Sequence, residues 1–288
     1  MRSGKLIKGI GGFYYILSEG EIFTLKAKKN LKHRGLSLMV GDDVHFSMSE
    51  SDDQGWIEDI IPRRNYLKRP PVANMDILCI VISAEPKPDY NLVDLLLITA
   101  FKQNIKPIIV YNKCELGIDE GLSDYKETGV EIFPISAVEH RGLNELEKAI
   151  SGHTACLAGQ SGVGKSTLTN ALLGTTIEIG DISDKIKRGR HTTRHVEIHF
   201  NGDIMLFDTP GFSAIELFKD IEPEEIQKYY PEFQDAIQSC FFKPCMHLSE
   251  PNCAVKAKLE DGKISQARME RYRELVAEAT ENRRNKYV

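Results

Sequence analysis

The sequence predicts a multidomain chain of three parts: a small N-terminal β-barrel, a central α/β domain on a mostly parallel sheet, and a helical C-terminal domain. Three observations predict it. Short apolar runs broken by glycine corners fill residues 1–68. Continuous apolar runs alternate with helical periods over 69–222. Three cysteines and one histidine fall within residues 240–253 of the last part, 223–288.

In the first part, Leu6–Ile10, Gly12–Leu17, Glu21–Leu25, Val44–Met48 and Gly55–Ile61 read as strands. Five short strands with glycine-rich corners suggest an OB-fold β-barrel. Lys26, Lys28, Lys29, Lys32, His33 and Arg34 form a basic run. Such a run is either a solvated loop or a contact for a phosphate backbone.

The central part opens on Ile77–Ile82, apolar throughout, as in a parallel strand buried on both faces. Asn91–Asn104 has a helical period. Pro107–Tyr111 and Val130–Ile135 read as the next strands, Gly142–Ile150 as a helix, and Ala155–Ala158 as a further strand. Val196–Phe200 and Asp203–Phe207 flank Asn201-Gly202 as a hairpin. Beyond Pro223 the chain turns helical and charged. Ile264–Arg284 reads as one long helix.

Composition narrows the function classes. The chain of 288 residues is 41% hydrophobic and 27% charged, ordinary for a globular protein. Its longest apolar stretch, Leu92–Phe101, is interrupted by Asp94 and too short to span a bilayer. Lacking the pattern of a signal peptide as well, the chain is expected in the cytoplasm, with no membrane partner. Six cysteines in that compartment are expected to be reduced, metal-bound or catalytic. The net charge of −5 is uneven: residues 1–68 and 226–288 each carry +2, and residues 69–225 carry −9.

The chemistry lies in short motifs. Gly159, Gln160, Ser161, Gly162, Val163, Gly164, Lys165 and Ser166, followed by Thr167, make a full G-x-x-x-x-G-K-S phosphate loop between a strand and a helix. Its backbone N–H groups cradle phosphates, Lys165 reaches the β and γ phosphates, and the Ser166 hydroxyl ligates Mg²⁺. Asn112-Lys113-Cys114-Glu115 resembles the NKxD run that reads guanine, with a Glu one methylene longer than the usual Asp. The acid accepts from guanine N1–H and N2–H₂, donors that adenine lacks. Asn112 either bonds the base or ties down the phosphate loop, the Lys113 stem covers the ring, and Ser136-Ala137 fits the segment facing guanine O6. Asp208-Thr209-Pro210-Gly211 is expected to hold Mg²⁺ through water at Asp208 and to meet the γ phosphate at Gly211.

The guanine motif precedes the phosphate loop, the reverse of an ordinary small GTPase. The central part therefore reads as a circularly permuted α/β P-loop GTPase binding GTP or GDP with Mg²⁺. Gly189–Arg194 occupies the switch I position, where Thr193, or else Thr192, completes the Mg²⁺ shell. Phe212 replaces the glutamine that orients water in Ras-type enzymes, so slow intrinsic turnover is expected. His191 either supplies a substitute catalytic group or serves packing or a partner. Cys240-x4-Cys245-x-His247-x5-Cys253 matches a closed structural zinc site, making the last part an α-helical zinc-binding domain. Two other classes compete. A small-molecule ATPase or kinase is opposed by Asn112-Lys113. A nucleotide-independent RNA-binding scaffold with a vestigial site is opposed by the complete set of Lys165, Ser166 and Asp208.

Together these motifs resemble the RsgA family of bacterial ribosome-associated GTPases over nearly the whole chain. The resemblance implies an OB-fold, a permuted GTPase domain and a zinc domain. It further implies late maturation of the small ribosomal subunit, contact with its rRNA, and GTP hydrolysis stimulated by that subunit. A monomer is expected. Glu115 and Arg194, where a third Thr would be common, are the departures from the family pattern.

Overall fold

This computed structural model describes residues 1–28, 31, 37–49, 55–68, 71–174, 196–208 and 221–286. The barrel strands are β1 (Arg2–Ile10), β2 (Phe13–Ser18), β3 (Glu21–Ala27), β4 (Asp43–Met48) and β5 (Gly55–Ile60). They follow the order β1-β2-β3-β5-β4, and β4 pairs back onto β1 to close the barrel. Of these pairings only β3–β5 is parallel. This is the five-stranded OB arrangement. Gly11 and Gly12 join β1 to β2 with φ of 61° and 85°. Two positive-φ residues give the hairpin turn whose twist matches the flanking strands. Leu6, Ile16, Leu25, Val44, Phe46 and Ile57 alternate inward and form the barrel core.

A short ladder, β6 (Tyr66–Lys68) with β7 (Pro71–Ala73), leads into the α/β part. Its elements are β8 (Ile77–Ser83), α1 (Tyr90–Lys102), β9 (Lys106–Asn112), β10 (Glu131–Pro134), α2 (Leu143–Ile150), β11 (Thr154–Ala158), α3 (Lys165–Leu173), β12 (Glu197–Asn201) and β13 (Ile204–Asp208). The strand order is β10-β9-β8-β11-β13-β12, parallel except for β12. Every residue of β8 is buried. Leu78, Ile80 and Ile82 face the layer of α1, and Ile77, Cys79 and Val81 face that of α2 and α3. Cys79 and Cys156 are core residues.

Two long-range features position the outer parts. Strand β12 pairs with β1 through Lys8 and Glu197, so barrel and α/β sheet share one eleven-stranded sheet. The C-terminal part packs on α1. It comprises 3-10 turns at Pro223–Tyr229 and Pro231–Phe233, a helical turn at Gln234–Ile237, then α4 (Ala254–Glu260) and α5 (Gln266–Lys286). Leu95 and Ile98 of α1 join Tyr230, Phe233, Met269, Tyr272 and Val276 in its core. Helix α1 is thus covered on both faces, which explains its unbroken buried run from Val93 to Ala100. No helix among the described residues is long and apolar enough to cross a membrane.

Candidate functional site

The motif residues converge at the C-terminal edge of the parallel strands, where open α/β sheets bind ligands. The phosphate loop leaves β11 at Gly159 and enters α3 at Lys165. Gly159 has φ +143°, and a Cβ there would lie 2.1 Å from the Val81 carbonyl oxygen. Gly164 has φ +91°, and a Cβ there would lie 2.4 Å from Asn112 Nδ2. Only glycine fits either position, because the loop backbone runs hard against its neighbours.

Asn112, at the end of β9, is buried. Its Nδ2 donates to the Val163 carbonyl at 2.9 Å, and its Oδ1 accepts from the Ala137 N–H at 3.1 Å. Both amide ends are engaged, so the side chain staples the phosphate loop to the Ser136-Ala137 turn. Of the two sequence expectations for Asn112, tying the loop is the one seen. Lys113, at φ +58°, donates to Glu85 O at 2.7 Å and Gly162 O at 2.8 Å. Its stem therefore lies across the gap between the β8 end and the loop.

Glu115 sits exposed on a 3-10 turn, Cys114–Leu116. Its own amide and the Ser136 hydroxyl hold its carboxyl below the ordinary range. An ionised carboxylate can accept two N–H donors. Arg141 Nη2 donates to Cys114 Sγ at 3.3 Å and borders the same turn.

Lys165 Nζ folds back on the carbonyls of Gly159 and Gln160, at 2.9 and 2.6 Å. Burial lowers its pKa, and an incoming phosphate would favour the charged form. Ser161 and Gly162 are exposed, Val163 is buried, and Ser166 and Thr167 are half-buried at the start of α3. Gln160 Oε1 accepts from Asp89 N–H at 2.9 Å, linking the loop to the N-cap of α1.

Asp208 ends β13, which pairs with β11 up to Cys156 and Phe207. That register places Asp208 one strand over from the residues that lead into the loop. His199 Nε2 lies 3.1 Å from Glu197 and 3.7 Å from Asp208, and the neighbouring Asp208 and Glu197 carboxylates raise the His199 pKa. Residues i and i+2 of a strand share a face. The run Glu197-Ile198-His199 thus held a signal that this pair lies together, and only the β12–β13 register shows what it meets. His191, Thr192, Thr193, Gly211 and Phe212 lie outside the described residues.

A second cluster brings together Cys240, Cys245, His247 and Cys253, all buried, with ligand atoms within 4.8 Å of one another. Cys240 Sγ lies 3.7 Å from His247 Nδ1 and 3.9 Å from Cys253 Sγ, and His247 Nδ1 lies 3.2 Å from Cys253 Sγ. Zn–S bonds of about 2.3 Å in a tetrahedron put sulfurs roughly 3.8 Å apart, so the donor set fits zinc. His247 Nε2 lies 2.9 Å from Gln227 Oε1, while Gln227 Nε2 donates to Glu224 O. That leaves Nε2–H as donor and Nδ1 as the free ligand atom. Nothing in the sequence spacing points to Gln227.

Comparison with known proteins decides the family. The RsgA GTPase model matches residues 60–218, and the RsgA N-terminal domain model matches residues 3–57. The chain belongs to the RsgA family. Among its relatives, "Small ribosomal subunit biogenesis GTPase RsgA 2" of Listeria innocua is 43% identical over 296 residues, covering 100% of both chains. "Small ribosomal subunit biogenesis GTPase RsgA" of a Geobacillus strain is 41% identical over 98% of this chain and 99% of its own. Among solved structures, YjeQ from Thermotoga maritima matches with a TM-score of 0.82 at 31% identity, covering 97% of this chain and 98% of that one. YloQ, described as a circularly permuted GTPase, matches with a TM-score of 0.82 at 33% identity, covering 98% and 96%. The chain is therefore a GTP hydrolase of the permuted class, and the expected fold classes of barrel, permuted GTPase and Cys₃His helical part hold.

Proposed function

We propose that the chain binds the small ribosomal subunit and assists its late maturation, hydrolysing GTP to GDP and phosphate under stimulation by that subunit. What carries this is the reversed motif order meeting at one sheet edge, stapled by Asn112, together with full-length similarity to small-subunit biogenesis GTPases. We assign phosphate binding to Gly159 through Thr167 and γ-phosphate sensing to Gly211. Ser166, Thr193 and Asp208 would hold Mg²⁺, directly or through water, and the ion would neutralise phosphate charge. Lys113, Glu115, Ser136 and Ala137 surround guanine. Cys240, Cys245, His247 and Cys253 hold one structural zinc. The barrel (1–68) and zinc domain (223–288) grip rRNA while the central domain (69–222) times release. The protein acts in the cytoplasm as a monomer.

Guanine selectivity rests on Glu115. Glu115→Ala is expected to weaken GTP and GDP binding about 10- to 100-fold, the loss of hydrogen bonds to a charged acceptor, with ATP affinity unchanged. Glu115→Asp should retain the preference. Equal affinity of the wild type for ATP and GTP, measured by calorimetry, would overturn the assignment.

Hydrolysis tests the partner. Single-turnover rates should rise by orders of magnitude with saturating small subunits, because positioning and electrostatics dominate phosphoryl transfer. His191→Ala should suppress this rise far more than it weakens GTP binding. Equal acceleration of both proteins would remove His191 from the mechanism. No acceleration of the wild type would remove the subunit as activator.

A further inference from the structure

Among the described residues the barrel and the α/β sheet meet in one registered strand pair, and that pair stands in line with Asp208. Lys8 of β1 is the partner of Glu197 on β12, and Glu197 is in turn the partner of Asp208 on β13. Residues directly opposite each other on paired strands share a face of the sheet. Lys8, Glu197 and Asp208 therefore form a row across three strands, from the barrel to the end of β13. His199, two residues along β12 from Glu197, stands on the same face.

The row contains a conflict that His199 relieves. Two carboxylates directly opposite each other on neighbouring strands repel. Glu197 Oε2 pairs with Lys8 Nζ, and its Oε1 lies 3.1 Å from His199 Nε2. The same Nε2 lies 3.7 Å from Asp208 Oδ2. One ring nitrogen thus stands between the two acids, and it carries a hydrogen both in the charged ring and in the Nε2–H tautomer. Exposed ion pairs contribute little to stability, so folding alone gives weak reason for the arrangement. The Asp208 side chain remains 49% exposed, which leaves it open to water. Its carboxylate at the end of β13 and the Ser166 hydroxyl at the start of α3 are the oxygen donors that Mg²⁺ takes alongside its retained waters. Glu197, His199 and Asp208 bring ligand atoms within 4.8 Å of one another. The Lys8 ammonium already paired with Glu197 opposes a further cation there.

We propose that His199 and Glu197 are positioning residues for Asp208, and that Lys8 fixes Glu197 from the barrel side, so that the barrel sets how firmly the nucleotide site holds Mg²⁺. This rests on the proposed place of Asp208 in the Mg²⁺ shell. Release of a fluorescent, non-hydrolysable GTP analogue from the full chain is followed as Mg²⁺ is varied. His199→Ala should raise the Mg²⁺ concentration for half-maximal retention about three- to tenfold. Removing the partner of a direct metal ligand costs about tenfold or more, and here a water intervenes and the cluster is partly exposed. His199→Gln keeps a side-chain N–H donor and should recover most of the loss. Lys8→Met should shift the Mg²⁺ dependence the same way by about twofold, since an unpaired Glu197 draws His199 from Asp208. In an Asp208→Asn background His199→Ala should add nothing, because both act through one carboxylate.

Wild-type Mg²⁺ dependence in His199→Ala or in Lys8→Met would overturn the proposal. So would a failure of His199→Gln to recover the loss, or an equal acceleration of release by His199→Ala in EDTA, the mark of a loosened fold. Mn²⁺ binding to the nucleotide-free chain that His199→Ala abolishes would make the three residues ligands of a separate ion, and the positioning role falls. Asp208→Asn alone tests the underlying placement. If that variant keeps the wild-type Mg²⁺ dependence, Asp208 itself leaves the Mg²⁺ shell. If it shifts while His199→Ala does not, only the positioning role is lost.

Discussion

Replacing Arg268 with methionine is expected to destabilise the folded chain by about 3–5 kcal/mol, the cost of breaking a buried ion pair from one side. The Arg268 side chain is 2% exposed. Its Nη1 forms an ion pair with Asp94 Oδ1 at 2.5 Å, and its Nε donates to Glu232 at 2.8 Å. The guanidinium also lies over the Tyr230 ring, 4.3 Å from the centroid. Arg271 completes the cluster, donating to Asp94 at 2.9 Å and Asp124 at 3.1 Å. Methionine would leave the Glu232 carboxylate buried, with its other oxygen already lacking a partner among the described residues. Adding Glu232→Gln should recover part of the loss, because a neutral amide costs less to bury than an unpaired charge. Urea unfolding followed by circular dichroism measures the shift, and hydrogen exchange along α5 locates it. An unchanged midpoint with unchanged α5 protection would show that the cluster contributes nothing. The same contacts clamp α5 to α1, and α1 meets the phosphate loop through Asp89 and Gln160. A swing of the whole C-terminal part on loss of the γ phosphate would have to break them.

Removing the metal proposed for the cysteine cluster is expected to have a still larger local effect. Structural zinc supplies roughly 10–16 kcal/mol in small zinc domains, and that binding energy is folding energy. Without a cation the site is unfavourable in itself. Three thiols crowd one buried space, and burial pushes the Cys245 thiol up to about 12. The ligands sit in the core that also holds Phe233 and Tyr272, and the Tyr272 hydroxyl donates to Met246 O at 2.9 Å beside them. Cys245→Ser should therefore abolish one equivalent of bound zinc and expose residues 240–260 to hydrogen exchange. GDP affinity should stay within about twofold, since the cluster lies outside the nucleotide loops and mutations without shared partners act independently. Metal analysis and exchange mass spectrometry check both halves. Protein purified without chelators that holds no zinc, or a Cys245→Ser variant with native protection, would refute the assignment.

Much of this molecule was legible before folding because its signals are local. The phosphate loop needs glycines where the backbone turns and closes on its neighbours, and Gly159 and Gly164 stand at those positions. The proposed zinc ligands lie within residues 240–253 and share a site because little chain separates them. Strand and helix periods placed the α/β elements to within a few residues. The ladder of β6 and β7 leaves no signal in the sequence, since three-residue strands carry too little pattern to register. The long helix read from Ile264 begins at Gln266.

What the sequence alone determined is the inventory of chemistry: a permuted order of guanine and phosphate motifs, a close set of three cysteines and a histidine, and an Asp94 out of place in an apolar run. Tertiary structure decided what each of these touches. Asn112 could have faced base or loop, and the choice came from Val163 and Ala137, residues 51 and 25 positions away. Asp94 acquired its meaning from Arg271, 177 residues along the chain. Lys8, Glu197 and Asp208 became a row only through the register of three strands. The physical reason is common to all three. Backbone preference and side-chain period act over a few residues, whereas partners of buried polar groups and cross-strand neighbours are set by packing, which brings distant segments together only when the whole core forms.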